Sequence, residues 1–248
     1  VVNDIEGKKE APTLGDYLFE HCEKMVQATL PASVTKVPKH CFYGVPLKNF
    51  ANVFKNVENY EKITKFGNLA FYGNQFEIVD LSAYKGLQEI GAGAFAFWDI
   101  VLEDGEECEK SKDSVIPEDK VGQLQKVILP DELEKEENKG GTLFLNTAPF
   151  YGQISMTTFI TNKALRDYPQ KVKDNVFYVP DYLTIGNARA VFGATGVSQT
   201  IWQADIDKTA NQDNRWKDVP VLVYANCPNI TNTIDVMPDG DYVETIGK

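Results

Sequence analysis

The chain has 248 residues, with 36 acidic and 25 basic side chains and a formal net charge of −11. Its 43% hydrophobic and 25% charged residues are typical of a folded protein, which excludes disorder along the whole chain. The negative charge argues against a nucleic-acid partner, because that binding needs clustered positive charge. No stretch approaches about 20 apolar residues, so the sequence predicts no membrane span.

A six-residue pattern recurs along the chain: an apolar residue, glycine or proline, three variable residues and phenylalanine. Its copies end at Phe19, Phe42, Phe71, Phe95 and, less regularly, Phe150. The steps between them are 23, 29, 24 and 55 residues, so a unit of about 23–24 residues carries insertions in two places. Since stacked repeats place equivalent residues above one another, we expect these rings to form an internal ladder.

The second residue of the pattern is glycine in three copies. Gly15, Gly67 and Gly91 are expected where the backbone adopts a conformation that a side chain would hinder. Pro38 takes this place in the second copy, so a positive φ angle cannot be required in every copy.

A second element follows the pattern three times, with apolar residues at relative positions one, four and six. It comprises Met25, Ala28 and Leu30; Phe76, Val79 and Leu81; and Leu124, Val127 and Leu129. The last two positions are two residues apart, which is the period of a strand with one buried face. Each unit therefore predicts one short strand and one compact return, with the strands stacked about 4.8 Å apart in a parallel sheet.

The combined pattern resembles the BspA-like leucine-rich repeat family. Cys22, three residues after Phe19, stands where that family often carries cysteine. The resemblance implies an α/β-type repeat solenoid: a right-handed leucine-rich-repeat-like coil with a parallel sheet of short strands and mostly irregular or short-helical returns. It also implies a secreted or surface-anchored bacterial protein whose motif residues are not catalytic. Some members of the family are similar to adhesins for host extracellular proteins.

The chain is predicted to be one domain over residues 1–248. Clear repeats cover 11–98 and 124–133, degenerate repeats cover 142–225, and a C-terminal cap covers 226–248. The charged insertions 103–120 and 132–141 are interpreted as solvated loops, and 165–173 as a short helix or turn. The four cysteines are expected to be thiols, because a chain of this size can build its core without disulfides.

Two groups of residues contain side chains that can bind metal ions, but their spacing along the sequence does not match a known metal site. His21-Cys22 follows its phenylalanine and His40-Cys41 precedes its own, so we expect the pairs at different places around the coil. Residues 205–213 carry oxygen side chains at alternate positions, but Ala210 and Trp216 replace the glycine and glutamate of an EF-hand. Neither histidine has an evident nucleophile partner, so the sequence predicts no enzyme, no cofactor and no metal.

The sequence favours a noncatalytic recognition or adhesion module outside the cell, because a solenoid exposes a long face that suits macromolecular ligands. The expected partner is a host or bacterial surface protein or a glycan. The candidate contacts are the outward strand positions Val26, Gln27, Thr29, Glu77, Ile78, Asp80, Gln125, Lys126 and Ile128.

Two alternatives remain open. The first is a structural spacer or assembly subunit without a ligand of its own. The second is a polysaccharide-handling surface protein, hinted at by Tyr178 and Tyr224, whose rings could stack on sugars.

Overall fold

The computed structural model describes residues 13–97, 100–102, 108–110, 122–134, 141–186, 188–207, 218–219, 223–231 and 245–246. These residues form a solenoid with two parallel five-stranded sheets. In a regular coil, one strand precedes the ladder phenylalanine, a tight turn contains it, and a second strand follows it. We call the two sheets the upstream sheet and the downstream sheet, and number the strands along the chain.

The upstream sheet has five parallel strands in the order β1-β2-β4-β8-β11. They are β1 Lys36–Val37, β2 Lys65–Phe66, β4 Glu89–Ile90, β8 Leu143–Leu145 and β11 Leu183–Thr184. The sequence pattern predicts one strand per unit and assigns this segment to the compact return. That part of the prediction was wrong, because the returns contain a second sheet. Its strands are so short that most bury a single residue, such as Val37 in β1.

The downstream sheet is also parallel, with the order β3-β7-β9-β10-β12. Its strands are β3 Ile78–Asp80, β7 Lys126–Leu129, β9 Thr158–Thr161, β10 Phe177–Val179 and β12 Thr200–Trp202. Strands β3 and β7 confirm two of the three predicted strands. The third, at residues 25–30, is wrong, because that segment is irregular.

A helix explains the irregular segment. α1 (Phe50–Phe54) occupies the place in the second coil where later coils have a downstream strand, and it accounts for the 29-residue step. Asn49 caps it by accepting a hydrogen bond from the Asn52 amide, at 3.1 Å. Because a helix offers no free ladder of backbone groups, residues 25–30 join it through isolated bonds such as Leu30 N–H to the Val53 carbonyl, at 2.7 Å.

Two further α-helices interrupt the C-terminal coils, and a 3₁₀-helix spans Tyr60–Lys62. α2 (Asn162–Asp167) joins β9 directly to β10, without an upstream strand between them, and α3 (Gln203–Ile206) follows β12. α2 lies close to the predicted helix at 165–173, but it begins and ends earlier. Within the described parts of the chain, no helix has the length and hydropathy needed to cross a membrane.

Two small sheets lie outside the coil pattern. β5 (Ile100–Leu102) pairs antiparallel with β6 (Cys108–Lys110), and β13 (Asp218–Val219) pairs parallel with β14 (Thr245–Ile246). The prediction of a loop throughout 103–120 was therefore wrong at 108–110, while 103–107 and 111–120 lie outside the described residues. The cap at 226–248 and the single-domain boundary stay predictions.

The predicted ring ladder is confirmed. Along Phe19, Phe42, Phe71, Phe95 and Phe150, successive ring centroids are 5.2, 5.5, 5.2 and 5.9 Å apart, with planes within 16° of parallel. The last four rings are at most 2% exposed, and Phe19 is half-buried at the start of the stack. Burial of each ring contributes roughly 1.5–3 kcal/mol, so the ladder is a major part of the core.

Backbone hydrogen bonds connect the same turns. The amides of the first four ladder residues donate to carbonyls in the next turn, for example Phe42 N–H to Ala70 and Phe71 N–H to Ala94, both at 2.8 Å. The residue two places before the ring has a positive φ angle of 49° to 60° in six turns: Tyr17, His40, Leu69, Gly93, Ala148 and Ala190. Five of these are not glycine, so the turn stacking holds a conformation that side chains normally disfavour.

Glycine at the second position of the pattern is explained by the close approach of successive coils, not by a positive φ angle. A Cβ atom on Gly67 would lie 2.6 Å from the Lys39 nitrogen, and one on Gly91 would lie 2.6 Å from the Asn68 nitrogen. Glycine is therefore needed because successive coils approach closely, whereas the positive φ angle falls two residues later. Gly15 begins the stack, and a Cβ there would meet no atom within 4 Å.

Phe71→Ala should destabilise the protein by about 3–5 kcal/mol, because Phe71 is fully buried between two stacked rings. Tyr72→Ala is the control, since Tyr72 is only half-buried and stacks on Tyr43 outside the ladder. We expect a smaller loss there, measured by the midpoint of urea unfolding. Equal small losses in both variants would contradict the ladder.

Gly67→Ala should cost about 1–3 kcal/mol, because the added methyl group meets backbone that cannot move without separating two coils. Gly15→Ala adds the same group in open space and should change stability by less than about 1 kcal/mol, in either direction. Thermal unfolding of the two variants compares them directly. Equal effects would mean that coil spacing does not select glycine.

Candidate functional site

The outward side of the downstream sheet carries most of the predicted contacts. Val79 and Val127 are fully buried in the core, so Ile78 and Asp80 on β3, and Lys126 and Ile128 on β7, point outward. The strand register pairs Ile78 with Lys126 and Asp80 with Ile128. The structure therefore brings these four predicted residues together in two rows.

The other predicted residues extend this surface. Glu77 and Gln125 precede the two strands, and Gln125 N–H donates to the Glu77 carbonyl at 2.8 Å. Thr29 lies beside α1, where its hydroxyl donates to the Asn52 carbonyl at 3.3 Å. We define the open face as Val26, Gln27, Thr29, Asn52, Glu77, Ile78, Asp80, Gln125, Lys126 and Ile128.

Three side chains of the open face have structural partners. Asp80 Oδ1 accepts a hydrogen bond from the Ser82 amide at 2.9 Å, which holds the turn after β3. Lys126 Nζ lies 3.1 Å from Asp174 Oδ1, and Thr29 bonds to α1 as described. Their presence at the surface is thus partly explained by the fold.

Six other side chains of the open face are exposed: Val26, Gln27, Asn52, Glu77, Ile78 and Gln125. Within the described residues, none of them has a side-chain hydrogen bond or ion pair. Ile78 is 51% exposed, although isoleucine is among the residue types most often buried. These six residues are the strongest candidates for contact with a ligand.

The outward side of the same sheet is covered in the C-terminal coils. Ile160 on β9 and Tyr178 on β10 are buried beneath a second hydrophobic cluster, to which Ala164 of α2, Val172 and Val176 belong. The open face therefore ends at β7.

A hydrogen bond links this cover to Asp207, the residue directly after α3. The Tyr168 hydroxyl donates to Asp207 Oδ2 at 2.8 Å. Burial, together with this carboxylate, raises the pKa of Tyr168 to about 12. The tyrosine is thus a neutral donor at physiological pH, and the bond helps to keep α2 and α3 against the sheet.

The two tyrosines proposed for sugar stacking do not present rings to a ligand. Tyr178 is 3% exposed, and burial raises the pKa of its hydroxyl. The Tyr224 ring stacks on Phe192 at 6.0 Å and its hydroxyl donates to Thr200 Oγ1 at 3.3 Å. Both residues belong to hydrophobic clusters, so this hint of polysaccharide handling was wrong.

A recess of about 140 Å³ opens at the N-terminal edge of the open face, where α1 replaces a strand. It is lined by Val26, Gln27, Ala28, Leu47, Lys48, Asn49 and Asn52. Sequence reasoning found Val26 and Gln27 but missed Lys48, Asn49 and Asn52. The available signal was the 29-residue step, which marks an insertion in this coil.

The histidine rings of both His-Cys pairs pack on Tyr43: His40 stacks on it at 5.0 Å, and His21 packs edge-on at 5.2 Å. His40 Nδ1 also lies 2.9 Å from Glu20 Oε1. Burial, with a smaller effect of Asp16, raises the pKa of the Cys41 thiol to about 12. Cys22, Cys41 and Cys227 are free thiols, and the described residues contain no cluster of three potential metal ligands. Of the calcium-like segment, residues 208–213 lie outside the described residues.

Comparison with protein families decides the relationship. The family described as the BspA type leucine rich repeat region matches residues 12–135 in six copies, which is half of the chain. The chain belongs to the BspA-type leucine-rich repeat family. Members of this family are repeat-based modules associated with surfaces and recognition, and they are typically noncatalytic.

Among solved structures, the chain is similar to a leucine-rich repeat protein from Bacteroides ovatus ATCC 8483, whose crystal structure was determined at 1.19 Å resolution. The sequence identity is 17% and the TM-score is 0.47. The similarity covers 94% of this chain and 48% of the other, so this chain spans about half the length of that protein. No curated protein matches the chain significantly.

The boundary of the open face can be tested by paired substitutions. Ile160→Ala should cost about 2–5 kcal/mol, because its side chain is fully buried under the second cluster. Ile78→Ala removes an isoleucine that also points outward from the downstream sheet but is half exposed, so it should cost less than about 1 kcal/mol. Urea unfolding measures both. A large loss at Ile78 would mean that this face is covered.

Proposed function

We propose that this BspA-type module is a noncatalytic recognition module that binds a macromolecular ligand, a protein or a glycan, through its open face. The observation that carries the proposal is the contrast within one sheet. The outward side is buried by α2 in the C-terminal coils, whereas it is exposed on β3 and in the segment before α1 and half-buried on β7. Within the described residues, the exposed side chains of Glu77 and Gln125 form no hydrogen bond or ion pair, and the apolar side chain of Ile78 is half exposed.

The geometry of this surface suits an extended ligand. Parallel strands place equivalent side chains about 4.8 Å apart, on a backbone held by hydrogen bonds between coils. Val26 and Ile78, which are 50% and 51% exposed, would supply apolar contact. Glu77 and Asp80 would supply charge, so the surface offers both apolar and charged groups to a ligand.

We place this recognition outside the cell, at the bacterial surface, as the family relationship suggests. The alternative is a spacer without a ligand, and it predicts that the open face contacts nothing. Antibody labelling of intact cells tests the location, and the following experiment separates the two functions.

The double variant Glu77→Lys and Gln125→Lys tests the open face. These two adjacent positions are exposed and lack a structural partner, whereas Asp80 also holds a turn and is left unchanged. The native protein is screened against purified extracellular matrix proteins and a glycan array, and each hit is titrated by biolayer interferometry. We expect saturable binding and at least a tenfold weaker affinity in the double variant, which corresponds to about 1.4 kcal/mol.

The matched control is Glu58→Lys with Gln88→Lys. Both residues are exposed, Gln88 precedes β4 of the upstream sheet, and the change in net charge is the same. The control should bind like the native protein. The proposal would be contradicted if the open-face double variant bound as tightly as the native protein, or if the double variant and the control lost affinity equally. If the native protein showed no saturable binding to any probe, the spacer would be favoured.

A further inference from the structure

The recess beside α1 exists because one coil departs from the repeat. A downstream strand at residues 47–54 would pair with residues 25–30 and leave no gap. The helix instead directs Phe50, Val53 and Phe54 into the core, where they are at most 3% exposed. The core is thus complete, while the surface between the helix and the preceding coil stays open. Packing does not require this opening, since the later coils have a downstream strand at the corresponding place.

The lining of the recess differs from the rest of this acidic protein. Its seven residues include three side-chain amides and one lysine, but no carboxylate, although the chain has a net charge of −11. Lys48 is exposed and forms no ion pair with any described residue. The recess is therefore a place where this surface can accept a negative group.

The amides are available as hydrogen-bonding groups. Asn49 uses its oxygen to cap the helix, which leaves its NH₂ group to donate. The side chains of Gln27 and Asn52 have no hydrogen bond to a described residue, and each can donate and accept. Val26, Ala28 and Leu47 supply apolar surface beside them.

From this combination we infer that the recess binds one carboxylated sugar unit of a glycan. Apolar side chains suit the C–H face of a pyranose ring, amides suit hydroxyl groups that both donate and accept, and Lys48 suits the carboxylate. The recess of about 140 Å³ is open to solvent, so it takes one face of a single sugar ring while the other face and its substituents stay in water. An acidic peptide side chain would engage the lysine but would leave most of the amides unused.

This inference deepens the proposed function, since the recess lies at the edge of the open face, but its test uses free sugars and does not require a macromolecular ligand. Methyl glucuronide and methyl glucoside form the probe pair, because they differ only in a carboxylate and a hydroxymethyl group. Each is titrated into ¹⁵N-labelled protein, and the side-chain NH₂ signals of Gln27, Asn49 and Asn52 are followed by NMR. We expect saturable shifts of these signals with a millimolar Kd, at least about threefold tighter for the glucuronide.

Two variants and one control assign the contacts. Lys48→Gln should abolish the preference for the glucuronide while weak glucoside binding remains. Asn52→Ala, which favours the helix, should weaken both sugars. Lys55→Gln removes an equally exposed lysine just past α1, outside the recess, and should change neither affinity.

Three results would overturn the inference. They are the absence of saturable shifts with either sugar, a glucuronide preference that survives Lys48→Gln, or tighter binding of the dipeptide analogue N-acetylglutamate amide than of the glucuronide. If the sugar titration fails, the proposed function still stands as long as a macromolecule binds and the Glu77→Lys and Gln125→Lys double variant weakens that binding. Conversely, failure of that binding would leave the monosaccharide titration unaffected.

Discussion

Contact between successive turns is the interaction on which this structure depends. Each ladder ring lies 5.2–5.9 Å from the next, and the amides of the first four ladder residues donate to carbonyls of the following turn. This contact fixes the distance between coils, excludes a side chain at Gly67, and holds positive φ angles at residues such as His40 and Leu69. A single coil could not bury its own apolar side, so the stability of each turn resides in its neighbours.

Because the turns are fixed, the coils vary on their downstream side. α1 replaces a strand there and supplies three buried apolar side chains, which restores the core and leaves a recess outside. α2 sits after β9 and covers the outward side of the sheet with a second hydrophobic cluster. Helices on the downstream side thus leave a polar recess in one coil, where α1 replaces a strand, and close the surface in another, where α2 follows a strand.

These physical constraints explain which features sequence reasoning could predict. The ladder was predictable because phenylalanine recurs at one place in every turn, and β3 and β7 because their apolar residues alternate. The upstream sheet was not, since a two-residue strand with one buried side chain has no detectable period. Residues 25–30 have the pattern of a strand, but the neighbouring coil supplies α1 instead of a strand to pair with. Of the candidate site, Ile78 and Asp80 follow from strand alternation, whereas Lys48 and Asn52 depend on how an insertion folds.

The net charge of the protein also determines how the open face can bind. At physiological ionic strength, the repulsion between a chain with a formal charge of −11 and an acidic ligand is largely screened at separations beyond about 8 Å. Closer than that, the proposed attraction for a carboxylate comes from the recess, where Lys48 and the side-chain amides lie together. Such a contact is weak by itself, because both partners are exposed to water and salt. Strong binding of a glycan requires further units to contact β3 and β7 at the same time, so that the second contact becomes intramolecular. The rigid spacing that turn stacking imposes is what allows a repeating ligand to match the surface in this way.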